Sequence, residues 1–138
     1  MQFVDANIFI RHLTADDPDK ARACLALFQR ANRNELALTT SESVIAEVVY
    51  VLSSKQLYGL SHEEIKTLLY PLITIPGLKL THRKTYLRAL DLYAAYPLDF
   101  EDALSVAHLE RQGITDLISY DRGFDRVANT SNIARMEP

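Results

Sequence analysis

The sequence predicts a three-layer α/β/α domain, with helices on both faces of a central, mainly parallel sheet of four or five strands. Three observations carry this reading. Short apolar runs with strand character alternate with longer segments of helical period along the whole chain. At 138 residues the chain is long enough to bury one good core. No linker, internal repeat or low-complexity segment divides it, so residues 1–138 are expected to form a single domain.

Gln2 to Asp5 reads as the first strand and Asn7 to Leu13 as the helix after it. Asp17 and Pro18 make a helix start, with an acid at the N-cap and proline at the first helical position. That helix runs to about Arg33, with Ala21, Cys24, Leu25 and Phe28 inward. Leu36 to Thr39 is the second strand. Ser41 opens a helix through about Leu57, closed by Gly59. Ser61 with Glu64 forms a capping box ahead of the apolar stripe Ile65, Leu68 and Leu69. Pro76-Gly77 marks a turn into the third strand, Leu78 to Thr81. Lys84 to Ala95 is helical, with Tyr86, Leu87, Leu90, Tyr93 and Ala94 on one side. Asp99 to Gln112 is the next helix, ended by Gly113; Leu117 to Tyr120 is a fourth strand and a short fifth lies near Ile133.

Composition narrows the class of protein. Hydrophobic residues make up 48% and charged residues 24%, as in a soluble globular protein. One cysteine, Cys24, rules out an intrachain disulfide and fits a reducing cytoplasm; its apolar neighbours make it a core residue rather than a reactive thiol. Met1 to Ile10 lacks a basic n-region and Asp5 interrupts its apolar run, so it reads as neither signal peptide nor membrane span. The net charge of -3 does not decide for or against nucleic acid, because acids at a metal site would be neutralised by bound cations. His12, His62, His82 and His108 lack zinc-ligand spacing, and no serine or cysteine nucleophile has a supporting arrangement.

Chemistry concentrates in four carboxylates, Asp5, Glu47, Asp102 and Asp121. Asp5 ends the first strand and Asp121 follows the fourth, and ligands of open parallel sheets bind at the carboxyl ends of strands. Each aspartate can equally begin a loop or cap the next helix. Glu47 borders the stripe of Val44, Ile45, Val48 and Leu52, which turns it toward the sheet, although a boundary glutamate fits the same spacing. Asp102 shares a face with Val106 and Leu109 and lies in a first helical turn, where the dipole favours an anion. Asp99 is the N-cap candidate of that helix or a further acid of the site. Asn7 and Ser119 each lie two residues from one of these aspartates, as helix starter or as hydrogen-bonding accessory. Unpaired like charges brought together raise one another's pKa and cost free energy. Were the four to converge, a hard divalent cation would be the compensation, and the substrate would carry phosphate.

The stretches FVDANIFIRHL, SESVIAEVVYVL, LDFEDALSVAHLE and LISYDRGFDRV together resemble the PIN-domain nucleases, most closely the VapC-type toxins of bacterial toxin–antitoxin pairs. They occur in the family's order and span almost the whole chain. In that pattern Asp5, Glu47, Asp102 and Asp121 fall on the acidic site, Asn7 and Ser119 on its polar accessory positions and Asp99 on a frequent extra acid. Ala6 departs from the family by standing where many relatives have threonine. The resemblance implies a sheet of order 3-2-1-4-5, a homodimer, Mg2+- or Mn2+-dependent cleavage of RNA, and inhibition by a small antitoxin protein.

On this reading Asp5, Asp102 and Asp121 hold the metal, with Glu47 bound directly or through water, and an activated water cuts the phosphodiester to leave 5′-phosphate and 3′-hydroxyl ends. Arg11, Arg122 and Arg126 are candidates for flanking phosphates, with a solvated surface role as the plainer account of each. The same scaffold would also serve a silent module that binds RNA or protein without cutting, though retention of all four acids speaks against it. A phosphatase of the haloacid-dehalogenase type needs a second acid where Asn7 stands. Dimer contacts are expected on the faces carrying Leu68, Leu69 and Tyr70, or Tyr50 and Tyr58, which core packing explains equally.

Overall fold

A computed structural model describes residues 1–138. The chain forms two compact units, Met1–Arg83 and Lys84–Pro138.

The first unit begins with β1 (Gln2–Phe3), followed by α1 (Ala6–Leu13), α2 (Pro18–Asn32), β2 (Leu38–Thr39), α3 (Glu42–Ser53) and α4 (His62–Ile73). β1 and β2 pair in parallel with Gln2 opposite Leu38 and Phe3 opposite Thr39. Leu78 adds a parallel bridge to Leu38, so β2 lies between β1 and the Leu78 segment. The expected third strand is shorter than its apolar run: only Leu78 bridges, and the chain turns away, with His82 at φ 58. α1 packs on α2 and α3, and α3 on α4. The interior is apolar, with Phe9, Phe28, Leu38, Ile45, Leu52, Ile65, Leu69 and Leu78 fully buried and the Phe9 and Phe28 rings 5.4 Å apart. Burying such side chains contributes about 1.5–3 kcal/mol each against leaving them in water.

The caps foreseen from the sequence form. Asp17 accepts from the Lys20 amide, Ser41 from Val44, and Ser61 with Glu64 makes the reciprocal box. α3, however, stops at Ser53 rather than Leu57. The Ser53 hydroxyl turns back to the Tyr50 carbonyl, and the Leu57 and Gly59 amides both donate to Ser54 O, closing a turn before Gly59 (φ 58). Gly77 is required for another reason. A Cβ there would collide with the Ala31 carbonyl and come within 2.7 Å of Leu36 O, where the Gly77 amide donates to Ala31 O at 2.9 Å.

The second unit carries α5 (Arg83–Ala95, its first residue at the boundary), α6 (Phe100–Gln112), β3 (Asp116–Ile118), a 3₁₀ helix (Arg122–Val127), α7 (Ala128–Ser131) and β4 (Ala134–Met136). β3 and β4 pair in parallel, with Leu117 opposite Arg135. α6 ends on Gly113 in the left-handed region (φ 68), as a glycine C-cap allows. α5 and α6 are tied by a bidentate ion pair from Arg88 to Glu110, Nε–Oε1 2.9 Å. The 3₁₀ helix and α7 have no counterpart among the elements expected from periodicity.

The parallel ladders and flanking helices bear out the α/β class. Cys24 is buried and free, as a core residue, and burial raises its thiol pKa. Leu69 also belongs to the core, which removes it as a contact surface, whereas Tyr50 is 70% exposed. No helix is long and apolar enough to cross a membrane.

Candidate metal centre

In the first unit the strand end is locked before Asp5 is presented. The Val4 amide donates to Thr39 O at 2.8 Å, and the Thr40 hydroxyl donates to Val4 O at 2.7 Å. Asp5 then stands as N-cap of α1, its Oδ1 accepting from the Asn7 amide at 3.1 Å and from Ile8 at 3.4 Å. The aspartate therefore does cap a helix, but the cap uses one oxygen, Oδ1, of an exposed residue. Asn7 is exposed in the first turn beside it.

One expectation for this unit is corrected. Glu47 is exposed rather than turned inward, because the buried stripe of α3 is Ile45, Val48, Val49 and Leu52, and Glu47 lies about 100° round the helix from Val48. Its carboxylate has no hydrogen-bond or ion-pair partner. Arg11 sits in the last turn of α1, the end opposite Asp5, where its charge acts on Cys24 and Tyr58.

In the second unit the structure brings Asp99, Asp102 and Asp121 into one electrostatic neighbourhood. Asp99 occupies the N-cap position of α6 but its side chain makes no cap hydrogen bond, contrary to the bond expected from spacing. The helix instead starts through the Asp99 carbonyl, which accepts from Ala103, and the exposed carboxylate is left free. Asp102, half-buried in the first turn, sits beside the apolar face of Phe100, Ala103, Val106 and Ala107, and its carboxylate accepts no hydrogen bond. Asp121 caps the 3₁₀ helix, with Oδ1 accepting from the Gly123 amide at 2.8 Å. The Ser119 hydroxyl accepts from the Asp121 amide at 3.0 Å, so the accessory serine shapes the turn that presents the acid. Arg122 is exposed at the start of the 3₁₀ helix; Arg126 is committed to the Pro97 carbonyl at 2.9 Å.

Electrostatics mark Asp102. Burial first, then the charges of Asp121, Asp99 and Glu101, hold its carboxyl above the ordinary carboxylate range. None of Asp99, Asp102 and Asp121 makes a salt bridge, although the Arg126 guanidinium lies near Asp121 beside Gly123. Carboxylate oxygen in this number suits a hard divalent cation such as Mg2+. The side chains as placed form no group of three or more carboxylate, histidine or cysteine residues that could hold a metal ion.

Sequence reasoning missed Arg135 and Glu101. Arg135, on β4, donates from Nε to Asp125 Oδ1 at 2.9 Å and from Nη1 to the Ser119 carbonyl at 2.8 Å. Its only sequence signal is an arginine inside a short strand. Glu101 escaped because an acid in a first helical turn is ordinary, yet it adds to the charge acting on Asp102.

Comparison with protein families gives a match to the PIN domain over residues 3–130, which takes in most of both units and every acid named above and ends before Arg135. Such domains are typically nucleases and use divalent metals. A search of curated proteins returns no match to the chain.

Proposed function

The chain belongs to the PIN-domain family, and on that premise we propose that it is a Mg2+- or Mn2+-dependent endoribonuclease of the VapC type, the toxin of a type II toxin–antitoxin pair. One observation carries the nuclease reading: the match to the PIN domain over residues 3–130, beside which stands the grouping of Asp99, Asp102 and Asp121, close enough that burial is joined by the charges of Asp121 and Asp99 in raising the Asp102 carboxyl pKa. The toxin assignment rests on the four motif stretches, and with it come a cytoplasmic location, a homodimer and a small antitoxin partner.

In the proposed centre Asp5, Asp102 and Asp121 would hold the metal. A bound divalent cation supplies the charge that makes water nucleophilic at neutral pH and offsets charge on the phosphodiester. The caps then do positional work. Oδ1 of Asp5 and of Asp121 is occupied by backbone amides, so each carboxylate is held in one orientation with Oδ2 free. Glu47 and Asp99, both unpartnered, accept protons or hydrogen bonds from water at the rim. Asn7 offers amide hydrogens to the scissile phosphate, and Arg122 offers charge to a flanking one. Attack in line with the leaving 3′-oxygen gives 5′-phosphate and 3′-hydroxyl ends.

Cleavage of a mixed RNA substrate with Mg2+, with chelator, and by Asp5→Asn and Asp102→Asn tests this. The expected result is cutting that needs metal and is lost in both variants. Undiminished cleavage by either variant would overturn the assignment, and tight RNA binding without metal-dependent turnover would favour a silent binding module.

A further inference from the structure

We infer that Arg135 is a positioning residue for the Asp121 carboxylate, holding the turn that presents it by clamping both of its ends; this rests on the reading of Asp121 as a metal ligand. The segment from Ser119 to Asp125 leaves the end of β3, passes Asp121 and enters the 3₁₀ helix. One guanidinium spans it. Nη1 donates to the Ser119 carbonyl at 2.8 Å, Nε to Asp125 Oδ1 at 2.9 Å and Nη2 to Asp125 Oδ2 at 3.4 Å, with Nη1 also 3.3 Å from Glu137 Oε1. The Arg135 side chain is only 13% exposed, although Tyr120, Asp121 and Arg122 between the clamped ends are all exposed. The Ser119 amide also donates to Met136 O at 2.9 Å and Phe124 is buried at the far end, but the exposed residues between borrow little order from packing, so the turn at Asp121 is set by these anchors together with the Arg135 bonds and the local ones to Ser119 Oγ and the Gly123 amide.

The chemistry requires arginine. A planar guanidinium reaches a carbonyl and both oxygens of a carboxylate at once; the lysine ammonium is a point charge on a flexible stem and would hold one end only. Arg135 sits on β4 opposite Leu117, and that parallel pairing aims it at the end of β3. As a cation it cannot be a metal ligand, so its effect on catalysis passes through Asp121. Partners that orient metal ligands typically matter 10- to 100-fold in metal affinity or activity.

The test compares wild type with Arg135→Lys and Arg135→Ala, using Arg88→Lys as a control that weakens a bidentate ion pair elsewhere in the same unit. Measured are kcat and KM for RNA, the Mn2+ concentration for half-maximal rate, and amide hydrogen exchange. Arg135→Lys is expected to lower kcat and raise the Mn2+ requirement by about 10-fold or more, with KM for RNA changed less than about twofold. Exchange at the Asp121 and Gly123 amides should rise while α6 stays protected, and Arg88→Lys should do none of this. Unchanged exchange at Asp121 and Gly123, or cleavage and metal requirement within twofold of wild type, would overturn the inference. So would a uniform rise in exchange across α6, the mark of a purely structural loss. Should wild type cleave no RNA, the nuclease reading fails by itself, and the exchange comparison still decides for or against the clamp.

Discussion

Replacing Asp102 with asparagine should make the metal-free protein more stable, while removing its stabilisation by metal. The carboxylate is half-buried, accepts no hydrogen bond and lies among Asp121, Asp99 and Glu101. Asparagine keeps its shape, deletes the repelled charge and leaves no partner orphaned. Close charge pairs at partly exposed sites are worth roughly 0.2–1 kcal/mol each and are screened by salt. Three partly solvated neighbours therefore amount to about 1 kcal/mol in all, or about 3–5 °C in Tm for a chain of this size. The sign with pH follows from the raised folded-state pKa. The fold binds this proton more tightly than the unfolded chain does, so wild type gains stability as pH falls through the folded pKa, and the gain is complete below the unfolded value near 4. The advantage of Asp102→Asn is thus greatest near pH 7 and vanishes toward pH 4. Metal reverses the ranking: at about 100 times its Kd a cation stabilises wild type by about 2.7 kcal/mol and the variant hardly at all. Thermal unfolding followed by circular dichroism, in EDTA and in excess Mn2+, reads both effects. An Asp102→Asn protein less stable than wild type in EDTA at pH 7, or an equal Mn2+ shift in both proteins, would refute the reasoning.

Other substitutions separate folding from function. Asp5→Asn keeps a good N-cap and should leave Tm within about 1 °C, whereas Asp5→Ala should cost about 1 kcal/mol by losing the bonds from Asn7 and Ile8; RNA cleavage assays should show both inactive. Gly77→Ala drives a Cβ into the Ala31 and Leu36 carbonyls and should cost about 1–3 kcal/mol in urea unfolding. Ser119→Ala removes the acceptor for the Asp121 amide and should cut the cleavage rate about 10-fold with little change in Tm, as judged by parallel kinetics and melting.

Much of the scaffold was legible because it rests on local chemistry: the Asp17-Pro18 start, the Ser61–Glu64 box and the Gly113 stop all form as their residue types dictate. Boundaries were read less well where periodicity outran the backbone. Leu57 continues the apolar stripe of α3, yet serine-centred turns end the helix at Ser53. The 3₁₀ helix is too short to show a period, although its Asp121 start was marked as a functional acid. In the centre itself the identity of the acids was visible and their environments were not. Asp99 does not cap, Glu47 faces water, and the Asp102 shift depends first on burial and then on Asp121, 19 residues on, which no spacing rule joins to it. Arg135 was invisible for the same reason, since its partners lie 10 and 16 residues back along the chain.

The proposal to be tested is that Asp5 and Asp102 each contribute to binding one divalent cation. It is tested most directly by titrating Mn2+ into wild type, Asp5→Asn and Asp102→Asn and following the free ion by electron paramagnetic resonance. The account predicts a tight site in wild type that is lost in each single variant. A tight site retained in Asp5→Asn at wild-type affinity would contradict it.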